Sequence, residues 1–422
     1  MGTLILKALK PLRHGWRRFE YGPATSLGAW FQAHPGAWVV LGLALSMSTL
    51  TICWLRAEPL SAPVRRFEAP RALQGWTITQ PEGGVEALAQ SIGETGLILL
   101  TAGQAFTLDP NPVAWTGRLT LENSDAWDHA GGEFGPAAAG GGAHLGRAPA
   151  QPGRYRLVWN DPATARQGAL ELLVLEPAAV RESAGNTTLT VCGEPIGPYL
   201  DPLKSPSEDV RKYAALYRPP TLFAIINAQT ETLPLDEGLQ LGQLVAFLDE
   251  RAPDGRKIQT NRRHTDRTPV IPALVHKLTA LRQRLREQGH TVTRFYITSG
   301  FRTPAFNKQI GGAAFSRHCY GDAVDLCIDE DGDLKIDDLN GDGRGDELDG
   351  LIIAQAAEDL EREGRVAAGG IGLYHWPGEH SVGSHVHVDC RGFTARWGQR
   401  YRNGKKEGFT WWRDTNAVGS SD

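Results

Sequence analysis

Apolar and polar positions change their period several times along the chain, and each change marks an element or a boundary. Trp38 to Leu55 (WVVLGLALSMSTLTICWL) is apolar and uncharged. As a helix it is long enough to cross most of a hydrocarbon core of about 30 Å. From Gly75 to Glu176 the pattern shifts to short runs at Trp76–Thr79, Gly96–Thr101, Arg118–Glu122, Tyr155–Trp159 and Leu170–Leu175. Gly, Pro, Asn and Asp separate them, which predicts a β-rich, sandwich-like unit containing a low-complexity loop at Ala137–Gly142. Beyond Val180, leucines recur at helical spacing over Leu241–Leu248 and Val275–Gln288, the latter with an Arg/Lys/Glu solvent face. A short strand, Arg294–Ile297, follows. Helices mixed with short strands predict an α+β unit with an antiparallel sheet.

The order of these patterns suggests residues 1–35 as a leader, 36–57 as one membrane-spanning helix, 58–74 as a Pro- and Arg-containing linker, 75–180 as the β-rich domain, 181–410 as the α+β domain and 411–422 as a tail. Lys7, Lys10, Arg13, Arg17 and Arg18 oppose only Glu20 in the leader. The positive-inside rule therefore keeps this end cytoplasmic and puts the later domains on the outer, periplasmic side of the cytoplasmic membrane. A cleaved signal peptide is the competing reading, but no small-x-small site follows Leu55, and Leu50, Thr51 and Ile52 before Cys53 make a poor lipobox.

Composition narrows the picture further. With 41% hydrophobic residues the chain can bury more than one core, and a net charge of −4 with interspersed basic residues argues against a nucleic-acid partner. The five cysteines lack the paired spacing of a structural zinc knuckle.

Chemistry concentrates after residue 298. In Ser316–Asp325 (SRHCYGDAVD), Gly321 lets the chain turn between His318 and Asp325, and the alternation from Ala323 onward predicts a strand presenting Asp325. In Ser384–Asp389 (SHVHVD), period-two alternation buries Val386 and Val388 and puts His385, His387 and Asp389 on the other face. Two imidazoles and a carboxylate suit Zn²⁺, and three protein ligands with one open position characterise a catalytic rather than a structural site.

Together these segments resemble the M15 family of zinc D-alanyl-D-alanine metallopeptidases. The family's SGxRTP, NxxxGGAxxSxHxxGxAxD and VHVD elements stand here as Ser299–Pro304, Asn307–Asp325 and Val386–Asp389. The likeness covers about residues 294–397, and it includes Asn307, Gly311, Gly312 and Ala313, which have no metal role. It implies a small α+β zinc domain acting on peptidoglycan peptides. It also implies that His318, Asp325 and His387 are the ligands, that Arg302 faces the substrate carbonyl or carboxylate, and that Ser316 helps hold the peptide end. The Glu-x-Trp-His arrangement that supplies a base in many relatives is missing, which leaves His385 as the candidate base and Glu379 in reserve.

An acidic insertion at 329–349 separates the two zinc half-motifs. Within it Asp338–Asp349 (DLNGDGRGDELD) sets Asp338, Asn340, Asp342, Asp346 and Asp349, with the carbonyl of Arg344, at EF-hand-like calcium positions around Gly343. Asp329, Asp331 and Asp333 either extend that site or are solvated acids, and a flexible acidic insertion is the alternative to calcium. For the whole chain, the alternative to a peptidase is a catalytically silent, metal-stabilised module that binds the cell wall.

Overall fold

The computed structural model describes residues 76–79, 97–110, 118–123, 135–136, 144–161, 166–183, 185–247, 250–251, 257–258, 263–376, 383–402 and 405–411. The leader, the expected membrane segment, the linker, Ala137–Gly142 and the tail after residue 411 lie outside them. Among the described residues no helix is long and apolar enough to cross a membrane. The chain divides after Arg66, and everything described belongs to the second unit, Phe67–Asp422.

That unit is α+β, with several sheets and few helices. Each strand expected in the β-rich stretch forms. Trp76–Thr79 pairs with Ala105–Pro110, and a larger sheet runs in the order Arg267–Thr268, Leu222–Ile225, Arg166–Pro177, Gly153–Asp161, Arg118–Asn123. Leu97–Thr101 lies parallel to Arg166–Pro177. Two of these strands come from beyond residue 180, so the β-rich stretch and the following region share one sheet. They also share one core, since Leu97, Leu99, Leu173 and Leu175 pack in the same buried cluster as Leu274, Leu278 and Leu281.

The sheet that organises the site has six strands: β1 (Phe295–Ser299), β2 (Ala323–Ile328), β3 (Gly370–Trp376), β4 (Gly383–Asp389), β5 (Ala395–Arg402) and β6 (Lys405–Phe409), in the order β1-β2-β4-β3-β5-β6. The sheet is antiparallel, as expected, at every pair but one: β3 and β5 run parallel. After β4 the chain passes the start of β3 by a short turn, where Gly392 N–H bonds Ala368 O and Ala395 N–H bonds Gly369 O, and enters β5 from the end at which β3 begins. Trp397 thereby comes beside Gly372.

Two helices cover the apolar face. In α1 (Pro272–Glu287), Pro272 occupies the first turn, where its missing N–H costs nothing, and Leu274, Val275, Leu278, Leu281 and Leu285 form the buried stripe. In α2 (Glu347–Arg362), Gly350 lets the helix approach the sheet, because a Cβ there would lie 2.6 Å from Leu373 Cδ1. Charges join these layers: the fully buried Lys277 Nζ donates to Glu361 and to the carbonyl of Asp389, each at 2.6 Å, and Arg396 donates to Glu361 at 2.7 Å.

The expectation of a helix over Leu241–Leu248 is corrected. Only a 3₁₀ turn, Leu241–Leu244, forms before the backbone becomes extended. Val245 then bridges Phe301, with Phe301 N–H bonding Leu244 O and Ala246 N–H bonding Phe301 O. Leu241, Leu244 and Val245 have helical spacing, but pairing with the segment that carries Arg302 overrides that local preference.

Candidate metal centre

Strand β2 is buried along its whole length, and it delivers Asp325 to the middle of the sheet directly opposite His387 of β4. His318 arrives from the 3₁₀ turn Arg317–Tyr320, which Gly321 closes at φ 75. Only glycine suits that position, since a Cβ would also meet Pro269 at 2.6 Å. A buried ion pair between Arg317 and Asp322 braces the turn. From outside, the hydroxyl of Tyr199 donates to Cys319 O at 3.0 Å.

His318, Asp325 and His387 converge as the sequence suggests. All three are buried, and one donor atom of each lies within 4.8 Å of the others, a group able to hold a metal ion. The hydrogen bonds behind the ligands fix which nitrogen faces inward. His318 Nδ1 lies 2.8 Å from the carbonyl of Gly300, which can only accept, so Nδ1 carries the hydrogen and Nε2 presents its lone pair toward Asp325 Oδ1 at 3.2 Å. In His387 the roles are exchanged: Nε2 meets Asp389 Oδ2 at 3.0 Å, leaving Nδ1 toward Asp325 Oδ1 at 2.9 Å.

Asp389 was singled out by sequence only as the third member of its strand face. It is fully buried, and it accepts from Gly370 N–H at 2.8 Å, Arg391 N–H at 3.0 Å and Arg391 Nε at 2.9 Å as well as bonding His387. Burial alone would raise its pKa, but these bonds and the Arg391 charge outweigh it and hold the carboxyl well below the usual range. The group is therefore a permanent acceptor for His387. Similarly, burial would raise Asp325, yet both histidines hold it well below the ordinary value. Burial lowers His318 despite Asp325, whereas in His387 the bonds to Asp325 and Asp389 outweigh burial and raise it.

Arg302 is mostly buried and pairs with the candidate ligand itself, placing Nη2 2.8 Å from Asp325 Oδ2 and Nε 2.8 Å from Ser299 Oγ. Its neighbour Thr303 caps the short helix Pro304–Gln309 and donates its N–H to His264 Nε2 at 2.9 Å. His264, unmarked by any local motif, donates from Nδ1 to Ala246 O at 3.1 Å and stacks on Phe306 at 4.3 Å. Ser316 precedes the His318 turn, half-buried, and its side chain makes no capping bond. On β4, His385 is two residues from His387 and stacks on Tyr374 at 4.9 Å with 12° between the rings. Glu379 lies outside the described residues.

The acidic insertion is arranged differently. Asp338 is exposed and accepts from the amides of Gly341, Asp342 and Gly343, while Asn340 Oδ1 accepts from Asp342 N–H. The amide of Arg344 is bound by Asp342. Asp346 is the N-cap of α2, and the fully buried Asp349 completes its capping box, accepting from Asp346 N–H at 2.6 Å and from Leu339 and Asn340 N–H at 2.7 and 3.1 Å. The second group of carboxylates close enough to meet on one ion is Asp329, Asp331 and Asp337. Asp337 was passed over in the sequence, although Asp329, Asp331, Asp333 and Asp337 repeat the spacing read at Asp338, Asn340, Asp342 and Asp346.

Residues 255–348 match the peptidase M15 family, and the chain thus carries an M15-family peptidase domain. The matched segment contains His264, Arg302, Ser316, His318 and Asp325 and ends before β4, which adds His387. No curated protein matches the sequence.

Proposed function

We propose that the chain is a zinc-dependent peptidase hydrolysing amide bonds next to D-amino acids in peptidoglycan stem peptides, with D-Ala-D-Ala carboxypeptidase-like chemistry. The observation that carries this reading is the convergence of His318, Asp325 and His387 on one buried point, with Arg302 against the same carboxylate. Two neutral imidazole nitrogens and one carboxylate fit zinc, and their hydrogen-bonded partners aim the lone pairs before any ion arrives. Zinc bound there supplies a Lewis acid that acidifies water and polarises a carbonyl.

The protein's own groups supply the rest. His385 takes the proton lost by the attacking water and returns it to the departing amine as the C–N bond breaks. Arg302 offsets the negative charge that grows on the carbonyl oxygen. Ser316, beside the His318 turn, holds the peptide end. The apolar run Trp38–Leu55 and the basic leader support a single-pass anchor in the cytoplasmic membrane, with the peptidase on the outer side. Calcium at Asp338–Asp349 rests on ligand spacing alone.

Mass spectrometry of peptidoglycan fragments incubated with the zinc-loaded protein tests the reading. Loss of a terminal D-alanine, or scission beside another D-residue, supports it and identifies the bond. Unchanged fragments would favour the silent wall-binding module.

A further inference from the structure

The face of the sheet that carries Asp325 and His387 continues onto β3 and β5. His387 is registered with Gly372, Gly372 with Trp397, and His385 with Tyr374. Trp397 lies flat against the bare Cα of Gly372, where a Cβ would come within 2.3 Å of the indole. Held this way, its ring centroid is 5.1 Å from that of His387, and its Nε1–H donates to the hydroxyl oxygen of Tyr374 at 2.8 Å.

An indole nitrogen can only donate. The Tyr374 oxygen is therefore the acceptor in this bond, and its own hydrogen must point elsewhere. The phenol ring cannot swing away from Trp397 freely, because His385 is stacked on its face. The hydroxyl hydrogen is thus available to a partner other than Trp397. Burial, with the nearby Asp325 charge, pushes this phenol up to about 12, so it keeps its proton at neutral pH.

We propose that Tyr374 is a substrate-contacting catalytic residue, its hydroxyl donating a hydrogen bond to the scissile carbonyl oxygen as that oxygen becomes anionic, with Trp397 and Gly372 positioning it. Arg302 approaches Asp325 from the β1 side of the centre, while Tyr374 stands on the β3 side, so the two donors flank the reacting amide. A fixed neutral donor beside a cationic one stabilises developing charge without having to reorganise. The inference rests on the peptidase reading above.

Tyr374→Phe removes one oxygen and keeps the ring that stacks on His385. With a D-Ala-D-Ala-ending peptide, kcat should fall about 10²-fold with KM little changed, the usual effect of deleting one such donor. Affinity for a phosphinate analogue of the dipeptide, measured by calorimetry, should fall by a similar factor, with zinc content unchanged and the melting temperature lowered only by the acceptor that Trp397 Nε1–H loses. Trp397→Phe, which frees the phenol to turn, should give a smaller loss in the same direction. Unchanged kcat and phosphinate affinity in Tyr374→Phe would overturn the proposal, as would a change confined to KM or a loss of zinc. A wild-type protein that neither cleaves the peptide nor binds the phosphinate overturns the peptidase reading along with it.

Discussion

Two parts of the domain gather acidic groups, and they treat them in opposite ways. At the His318/Asp325/His387 centre the ligands are buried on a central sheet, and each histidine is held from behind by an acceptor that cannot turn, the Gly300 carbonyl or the Asp389 carboxylate. In the 329–349 insertion the carboxylates of Asp338 and Asp349 are occupied by the loop's own amides, and several of the others are exposed. The first arrangement has met the cost of ordering its ligands during folding. The second uses much of its acidity to fold itself. Spacing in sequence cannot separate these cases, because it records which residues are available and not what stands behind them.

The largest expected effect comes from dismantling the first arrangement. His318→Ala, Asp325→Ala and His387→Ala should each lose zinc together with turnover, since two remaining ligands make a depleted shell. By contrast, His385→Ala should keep about one zinc per chain and turn over roughly 10² to 10⁴ times more slowly, as expected of a missing acid or base. Metal analysis beside kinetics separates them. If His385→Ala loses the metal and His387→Ala keeps it, the two histidines exchange roles.

A smaller effect should follow from loosening a partner behind a ligand. Asp389→Asn keeps the shape of the side chain but replaces a fixed acceptor with an amide that can also donate, so Nε2–H of His387 is no longer enforced. Zinc affinity, measured by competition with a chelator, should drop about 10- to 100-fold. Long-range proton–nitrogen NMR of the metal-free protein should show His387 losing its preference for the Nε2–H form while His318, backed by a backbone carbonyl, keeps its own. Equal affinities would mean that the Asp389 bond serves folding alone.

Much of the centre was legible because strands repeat every two residues. SHVHVD and AVDLCI place their polar members on one face whatever the rest of the fold does, and pairing of β2 with β4 brings those faces together. Tyr374 and Trp397 were not legible, since they meet only through the parallel β3–β5 pair that the turn after Asp389 creates. His264 was invisible for the same reason, reaching Thr303 across 39 residues. Leu241–Leu248 misled by its helical spacing, where bridging to Phe301 decided the outcome. The five runs named in the β-rich stretch all form strands, yet Ala105–Pro110 and His144–Arg147 also form and were not picked out, and the sheet continues past residue 180 through Leu222–Ile225, a pairing no local pattern announces.

On the insertion's side, Asp349→Ala should destabilise the protein by about 2 kcal/mol, because three amide hydrogens lose a buried acceptor. Denaturant titration should register this with or without calcium. Asp342→Ala is at an exposed position and should have almost no effect in calcium-free buffer. If the loop holds calcium, adding the ion at about 100 times its Kd should raise wild-type stability by about 2.7 kcal/mol, and Asp342→Ala should gain less. No calcium-dependent shift in either protein would leave 338–349 as a self-bonded acidic loop and make the contrast with the His318/Asp325/His387 centre complete.

The smallest effect probes how far the centre's ordering extends. His264 is lowered mainly by burial and further by Arg302, with its bond to Ala246 O opposing. An unfolded histidine titrates near about 6.5, above the folded group, so the unfolded chain takes up this proton first as pH falls. The stability His264 contributes is therefore fully present above the unfolded value and is lost as pH drops from there through the folded one, with a slope no steeper than about 1.4 kcal/mol per pH unit. Protonation would also deprive Thr303 N–H of its acceptor and set a positive charge near Arg302. His264→Phe retains a ring to stack on Phe306 and cannot titrate, so its stability should decline less steeply than wild type as pH falls below about 6.5. Denaturation curves across that window measure the difference. Parallel curves for the two proteins would show that the Arg302–Thr303 segment holds its place without His264, and that the ordering behind the centre stops at the direct partners of His318 and His387.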